Sequence, residues 1–109
     1  MATFVLNLNH HPDDAQTAAL ALQFAQAVIG SAHQLVQVFF YQDAVHYPFH
    51  PSATAWQTFA QQHQVPLVVC HTQVEQRELE PASMAAEFTL SGLTEFATVV
   101  ADADRTVSF

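Results

Sequence analysis

The run Val65-Pro66-Leu67-Val68-Val69-Cys70 constrains this chain more than any other stretch. An unbroken apolar segment of this length is how a parallel β-strand reads when both faces of its sheet are covered. Cys70, the only cysteine, closes the run. In open α/β sheets the reactive groups collect just past the carboxyl ends of the strands. The one soft nucleophile of the chain therefore stands where such a fold places its chemistry.

The segments around it fit the same architecture. Thr3 to Asn9 runs apolar through Phe4, Val5, Leu6 and Leu8 and reads as a first buried strand; Asn9-His10-His11-Pro12 breaks it. Asp13 then reads as an N-cap with Gln16 completing a capping box, and the two acids Asp13 and Asp14 suit the positive end of a helix dipole. From Ala15 the apolar positions Ala18, Leu22, Ala25, Ile29 and Leu20, Phe24, Ala27, Val28 cover a wide helical face, with Gly30 in the C′ role. Leu35 to Tyr41 is the second strand, so the first unit is a right-handed βαβ. Gln42 to Pro51 reads as a loop. Ser52 opens a helix to about Gln64, with Ala55, Trp56, Phe59 and Ala60 inward.

After Cys70, the stretch His71 to Pro81 is polar and irregular, with a turn of helix around Glu75 to Leu79. Met84 to Leu90 is ambiguous. Ser91-Gly92 opens a last helix with Leu93, Phe96, Ala97, Val99 and Val100 inward, and Arg105 to Phe109 is β-prone. The expected fold is α/β: a three-layer α/β/α sandwich with a mainly parallel sheet, in one domain spanning residues 1–109.

Charge excludes whole classes of function. Lysine is absent, Arg77 and Arg105 are the only fixed cations, and the formal net charge is -8. Nucleic-acid binding draws most of its affinity from cationic neutralisation of phosphates, and anionic membranes ask for the same. Direct binding to either is disfavoured. No apolar stretch reaches the ~18 residues of a membrane helix. The start Met1-Ala2-Thr3-Phe4-Val5 has no basic region or long apolar core, so no signal peptide is expected. A lone cysteine fits a reducing cytoplasm. Few charges on an apolar chain also point to an exterior partly covered by partner subunits.

Cys70 has two readings. Free cysteine is among the most buried residue types, so it is a candidate for plain core packing. As a nucleophile it needs to become a thiolate, for which a following helix N-terminus, His71 and Arg77 are the nearby supports and Glu75, Glu78 and Glu80 the opposing charges. A cysteine hydrolase also needs a base and an orienting group, and no spacing picks one of the seven histidines for the task. A thiol that only accepts and passes on sulfur needs no such triad.

The histidines pose a metal question. His10 and His11, His46 and His50, and His71 lie in three loops that follow strands. No CxxC or helical HxxxH spacing accompanies them, and Pro48 interrupts the pair at 46 and 50, so capping or solvated histidines are expected and no metal. Ser91-Gly92 suits either an anion at a helix start or ordinary capping. With Gly30 and Gly92 as the only glycines, glycine-rich nucleotide cradles are excluded and no cofactor is expected.

Several segments, taken in order, resemble the DsrE/TusD group of sulfur-relay proteins. They are Leu22-Gln23-Phe24-Ala25-Gln26-Ala27-Val28, Val38-Phe39-Phe40-Tyr41-Gln42-Asp43-Ala44-Val45, Val68-Val69-Cys70, Glu87-Phe88-Thr89-Leu90-Ser91-Gly92-Leu93 and Ala103-Asp104-Arg105-Thr106-Val107-Ser108-Phe109. The resemblance spans nearly the whole chain. It implies the α/β/α fold and a persulfide-carrying cysteine matching Cys70, with Arg77 and His71 in supporting roles. It further implies TusB/TusC-like (DsrH/DsrF-like) subunits in a hetero-oligomer, a TusA-like donor and a TusE/DsrC-like acceptor, on the route to 2-thiolation of the tRNA wobble uridine. The alternatives within the same resemblance are DsrE-type sulfur trafficking in sulfur oxidation and a non-catalytic structural subunit. Where the family has small residues and paired arginines after the cysteine, this chain has His71-Thr72-Gln73-Val74-Glu75-Gln76-Arg77, with one arginine. The segments after Val45 and after Cys70 are also shorter than the family's.

Overall fold

The computed structural model describes residues 1–109. Five strands form one sheet in the order β4-β3-β2-β1-β5, parallel throughout. They are β1 (Thr3–Leu8), β2 (Gln34–Phe40), β3 (Leu67–Cys70), β4 (Phe88–Ser91) and β5 (Arg105–Ser108), alternating with α1 (Ala15–Gly30), α2 (Ala53–His63), α3 (His71–Gln76) and α4 (Leu93–Asp102). The chain steps outward from β1 to β4 in one direction and then returns to the far edge for β5. Right-handed crossovers place α1, α2 and α3 on one face and α4 on the other.

Aromatic contacts show the layering. Phe24 of α1 meets Phe4 edge-on, and Trp56 of α2 meets Phe40 edge-on. Phe39, whose side chain points to the opposite face from Phe40, stacks on Phe96 of α4 with ring centroids 3.9 Å apart. The three layers expected from the sequence are present. They are unequal: Trp56, Phe59 and Ala60 of α2 are buried, whereas α4 buries no residue fully.

Several local expectations are corrected. The N-cap of α1 is Asp14, whose Oδ1 accepts the Thr17 N–H at 3.1 Å and whose Oδ2 accepts the Thr17 hydroxyl at 2.7 Å. Asp13 is drawn away by His50, whose Nε2–H it accepts at 2.8 Å, and Gln16 takes no part in capping. Gly30 is still helical, and Ala32 takes the left-handed turn with φ 62°. Gln42–Phe49 is a 3-10 helix rather than a loop. Its buried Ala44, Val45, Tyr47 and Pro48 repeat every three residues, a period that an α-helical template does not register. The Ser52 hydroxyl bonds His50 Nδ1 and does not cap α2, and Ala53 is buried in place of Ala55.

The third strand starts at Leu67, two residues later than expected, and α3 starts at once after Cys70 instead of at Glu75. The ambiguous stretch before Ser91 contains β4, which makes the sheet one strand wider than the sequence pattern shows. Phe88 faces the core but Thr89 is exposed, so this short edge strand lacks the continuous apolar run of its neighbour. In α4, Phe96, Val99 and Val100 are half-buried, while Leu93 and Ala97 face solvent. No helix is long and apolar enough to cross a membrane.

Candidate functional site

Cys70 is the last residue of β3 and the N-cap of α3. Its register partner on β4 is Ser91, which precedes the Gly92 N-cap of α4. The chain leaving Cys70 turns to the face of α1 and α2, and the chain leaving Ser91 turns to the other face. Adjacent parallel strands whose exits diverge in this way open a crevice at their carboxyl ends, the usual ligand position in open α/β sheets. The thiol thus occupies the topological switch point of the fold.

It is closed there. Cys70 is 0% exposed and belongs to the central apolar cluster. No hydrogen bond joins its sulfur to His71, to Arg77 or to any other histidine. His71 is exposed, with Nε2 3.9 Å from Glu75 Oε2 one turn on. Arg77 closes α3, where one guanidinium nitrogen donates to Asp43 Oδ1 at 2.9 Å and another to Gln73 Oε1 at 3.3 Å. Its buried Nε has no partner. The two residues expected beside the thiol are thus turned to carboxylate and amide groups. Asp43 was not legible as Arg77's partner, because the pair spans 34 positions and only the packing of the 3-10 helix against α3 joins them.

Beside the thiol, His71, Glu75, Glu78 and Glu80 surround a concavity of about 250 Å³ floored by Val74 and Leu79. Cys70 is not among its walls. On the other side, the start of α4 is occupied by its own first turn. A Cβ on Gly92 would come within 2.7 Å of Glu95 Oε2, so this glycine lets the Glu95 carboxylate fold over the helix N-terminus.

Four of the histidines gather further along the same sheet edge. The His11 and His46 ring centroids are 4.9 Å apart, and those of His11 and His50 are 6.4 Å apart. His11 Nδ1 accepts the Asp13 N–H at 3.0 Å, and His50 Nδ1 accepts the Ser52 N–H at 3.1 Å. An imidazole that binds a metal through Nε2 carries its proton on Nδ1. Both Nδ1 atoms here are acceptors, so the rings are set as local anchors. No group of three or more His, Cys, Asp or Glu side chains is arranged to hold a metal ion. His10 Nδ1–H faces the Phe109 carbonyl at 3.4 Å and its Nε2 accepts a hydrogen bond from the Tyr47 hydroxyl. Burial holds the His10 and His46 pKa values below the ordinary 6.5 and pushes that of Tyr47 up to about 12.

Fold and site together define an open, all-parallel α/β protein with a single thiol at its switch point. A model of the DsrE/DsrF-like family matches residues 2–109, and the chain belongs to that family. A Vibrio cholerae protein named sulfurtransferase TusD homolog is 34% identical, covering 98% of this chain and 97% of its own. The aligned stretch of 127 positions exceeds the 109 residues here, so that relative carries insertions. A Yersinia pestis protein named sulfurtransferase TusD is 36% identical over 86% of this chain and 87% of its own. Among solved structures, the ychN protein from E. coli superposes with a TM-score of 0.85 at 18% identity, covering all of both chains. The protein MTH1491 of Methanobacterium thermoautotrophicum superposes with a TM-score of 0.80 at 10% identity, again covering all of both. These two likenesses concern the fold.

Proposed function

We propose that this protein is a sulfur carrier in which Cys70 accepts a sulfane sulfur and passes it on. The observation that carries the reading is the placement of the sole thiol at the switch point of a chain that aligns almost end to end with proteins named sulfurtransferases. In the first step the Cys70 thiolate attacks the outer sulfur of a donor persulfide, R–S–S–H. The donor leaves as R–S⁻, and Cys70–S–S–H forms. In the second step an acceptor thiolate attacks that outer sulfur and Cys70 leaves as thiolate. Both steps are thiol exchanges with no net oxidation, so neither metal nor cofactor enters.

The family resemblance extends the proposal to a TusA-like donor, a TusE/DsrC-like acceptor and TusB/TusC-like partner subunits, serving wobble-uridine thiolation in the cytoplasm. A chain with two arginines and no lysine suits a relay component that leaves tRNA contact to others. His71 and Arg77 are the candidates to steady the persulfide anion once their present partners release them. A second reading, a structural subunit with an inert thiol, is favoured by the complete burial of Cys70. Incubation with a persulfidated donor followed by intact-mass measurement separates the two. The carrier gains one sulfur atom, which a thiol acceptor removes, and Cys70→Ala gains none. An unchanged wild-type mass, or an equal gain in Cys70→Ala, establishes the second reading.

A further inference from the structure

A nucleophile that is 0% exposed cannot meet a donor sulfur, so the chemistry of Cys70 requires an opening, and the fold decides which side opens. On its N-terminal side Cys70 continues β3, hydrogen-bonded to β2 and to β4 and buried at every position. On its C-terminal side it caps a helix of 6 residues, a length far below what holds a helix together by itself. The attachments of that helix are few. Val74 is its one buried residue. Arg77 bonds Asp43 across to the 3-10 helix, and this ion pair is the only tie between a fixed cation and a carboxylate in the molecule. His71, Thr72, Glu75, Gln76 and Glu78 are exposed. A concavity of about 250 Å³ is lined by residues of the segment and of the chain just beyond it, three glutamates among them. The segment ends at Glu78, which turns the chain with a left-handed φ of 57°.

We infer that residues 71–78 are a strap that lifts as a unit from the sheet edge to bare Cys70, with Arg77–Asp43 as its latch and Val74 as its apolar anchor. This rests on the reading of Cys70 as the sulfur-carrying residue. The strap hinges at Cys70, so lifting it carries the thiol out of the core while β3 keeps its remaining ladder.

Alkylation of Cys70 under native conditions reads the opening directly, because its rate is proportional to the open fraction. Wild-type Cys70 is expected to react far more slowly than a free thiol. Asp43→Asn, which removes the latch and leaves Arg77 in place, is expected to speed alkylation about 2- to 5-fold. Val74→Ala is expected to speed it on the order of tenfold. Asp104→Asn, which loosens β1 from β5 on the far edge, is expected to leave the rate unchanged. The strap is overturned by wild-type alkylation at the rate of a free thiol, by Asp43→Asn and Val74→Ala rates equal to wild type, or by acceleration in Asp104→Asn matching that in Asp43→Asn. If alkylation follows the latch but no sulfur is gained from a persulfide donor, the strap stands and the carrier reading fails. If sulfur is gained at a rate indifferent to Asp43→Asn, the carrier stands and the strap fails.

Discussion

Cys70 and Ser91 are register partners at the carboxyl ends of neighbouring parallel strands, and the chain leaves them toward opposite faces of the sheet. The short strand β4 creates this relationship. Without it Cys70 would sit on an edge strand, and no crevice would separate its exit from that of a neighbour. Open α/β sheets take their ligands at such a crevice, and here the thiol stands at it with no exposed surface.

Gly92 is the residue that lets the second of those helix starts close on itself. Gly92→Ala would press a methyl group against the Glu95 carboxylate, 2.7 Å away, and swing that side chain off the N-terminus. A destabilisation of about 0.5–1 kcal/mol is expected from the lost charge–dipole contact. Urea denaturation measures it, and Glu95→Gln should reproduce most of the loss.

Phe96 is the main grip of α4 on the sheet. Its ring stacks on fully buried Phe39, while no residue of α4 is itself fully buried. Phe96→Ala is expected to cost about 2–3 kcal/mol, below the usual range for a core phenylalanine because the ring is half-exposed. Hydrogen exchange should show amides of α4 losing protection before those of α1.

Stability should fall on mild acidification. Burial, for His10 and His46 alike, holds the folded pKa below the ordinary 6.5, and His11 and Arg77 add to the effect at His46. The unfolded chain therefore binds protons that the folded chain refuses. The contribution is complete above about pH 6.5 and is lost as pH drops toward the lower folded values. Urea midpoints should decline between about pH 7 and pH 5, and His46→Gln should flatten the decline. A second loss is expected below the ordinary carboxylate value of 3.8. There Asp13, bonded by His50, Asp14, bonded by Thr17, and Asp104, bonded by Thr3, lose the hydrogen bonds that hold their carboxyls down. Midpoints level across the histidine window would contradict the assignment.

The cap of α1 can be located by substitution. Asp14→Ala removes both bonds to Thr17 and is expected to lower Tm by several degrees, whereas Gln16→Ala should leave it unchanged. Asp13→Ala should act through His50, loosening the link between the loops after β1 and β2.

The strands whose apolar runs are continuous, the amphipathic helices α1 and α2, and the parallel α/β class are legible along the chain, because burial on both faces leaves a pattern there. The same pattern placed Cys70 at a strand end, and the family resemblance followed from the order of local segments. The rest came from long-range packing. β4 is an edge strand covered on one side, and the 3-10 helix repeats at a period of three, so neither leaves the expected signature. Asp13 reads as the cap until His50, 37 positions away, takes its carboxylate and leaves the role to Asp14. The state of the thiol was settled in the same way. Its burial comes from how β3 and α3 pack, and Asp43, a residue remote in sequence, meets Arg77 only in the packed fold.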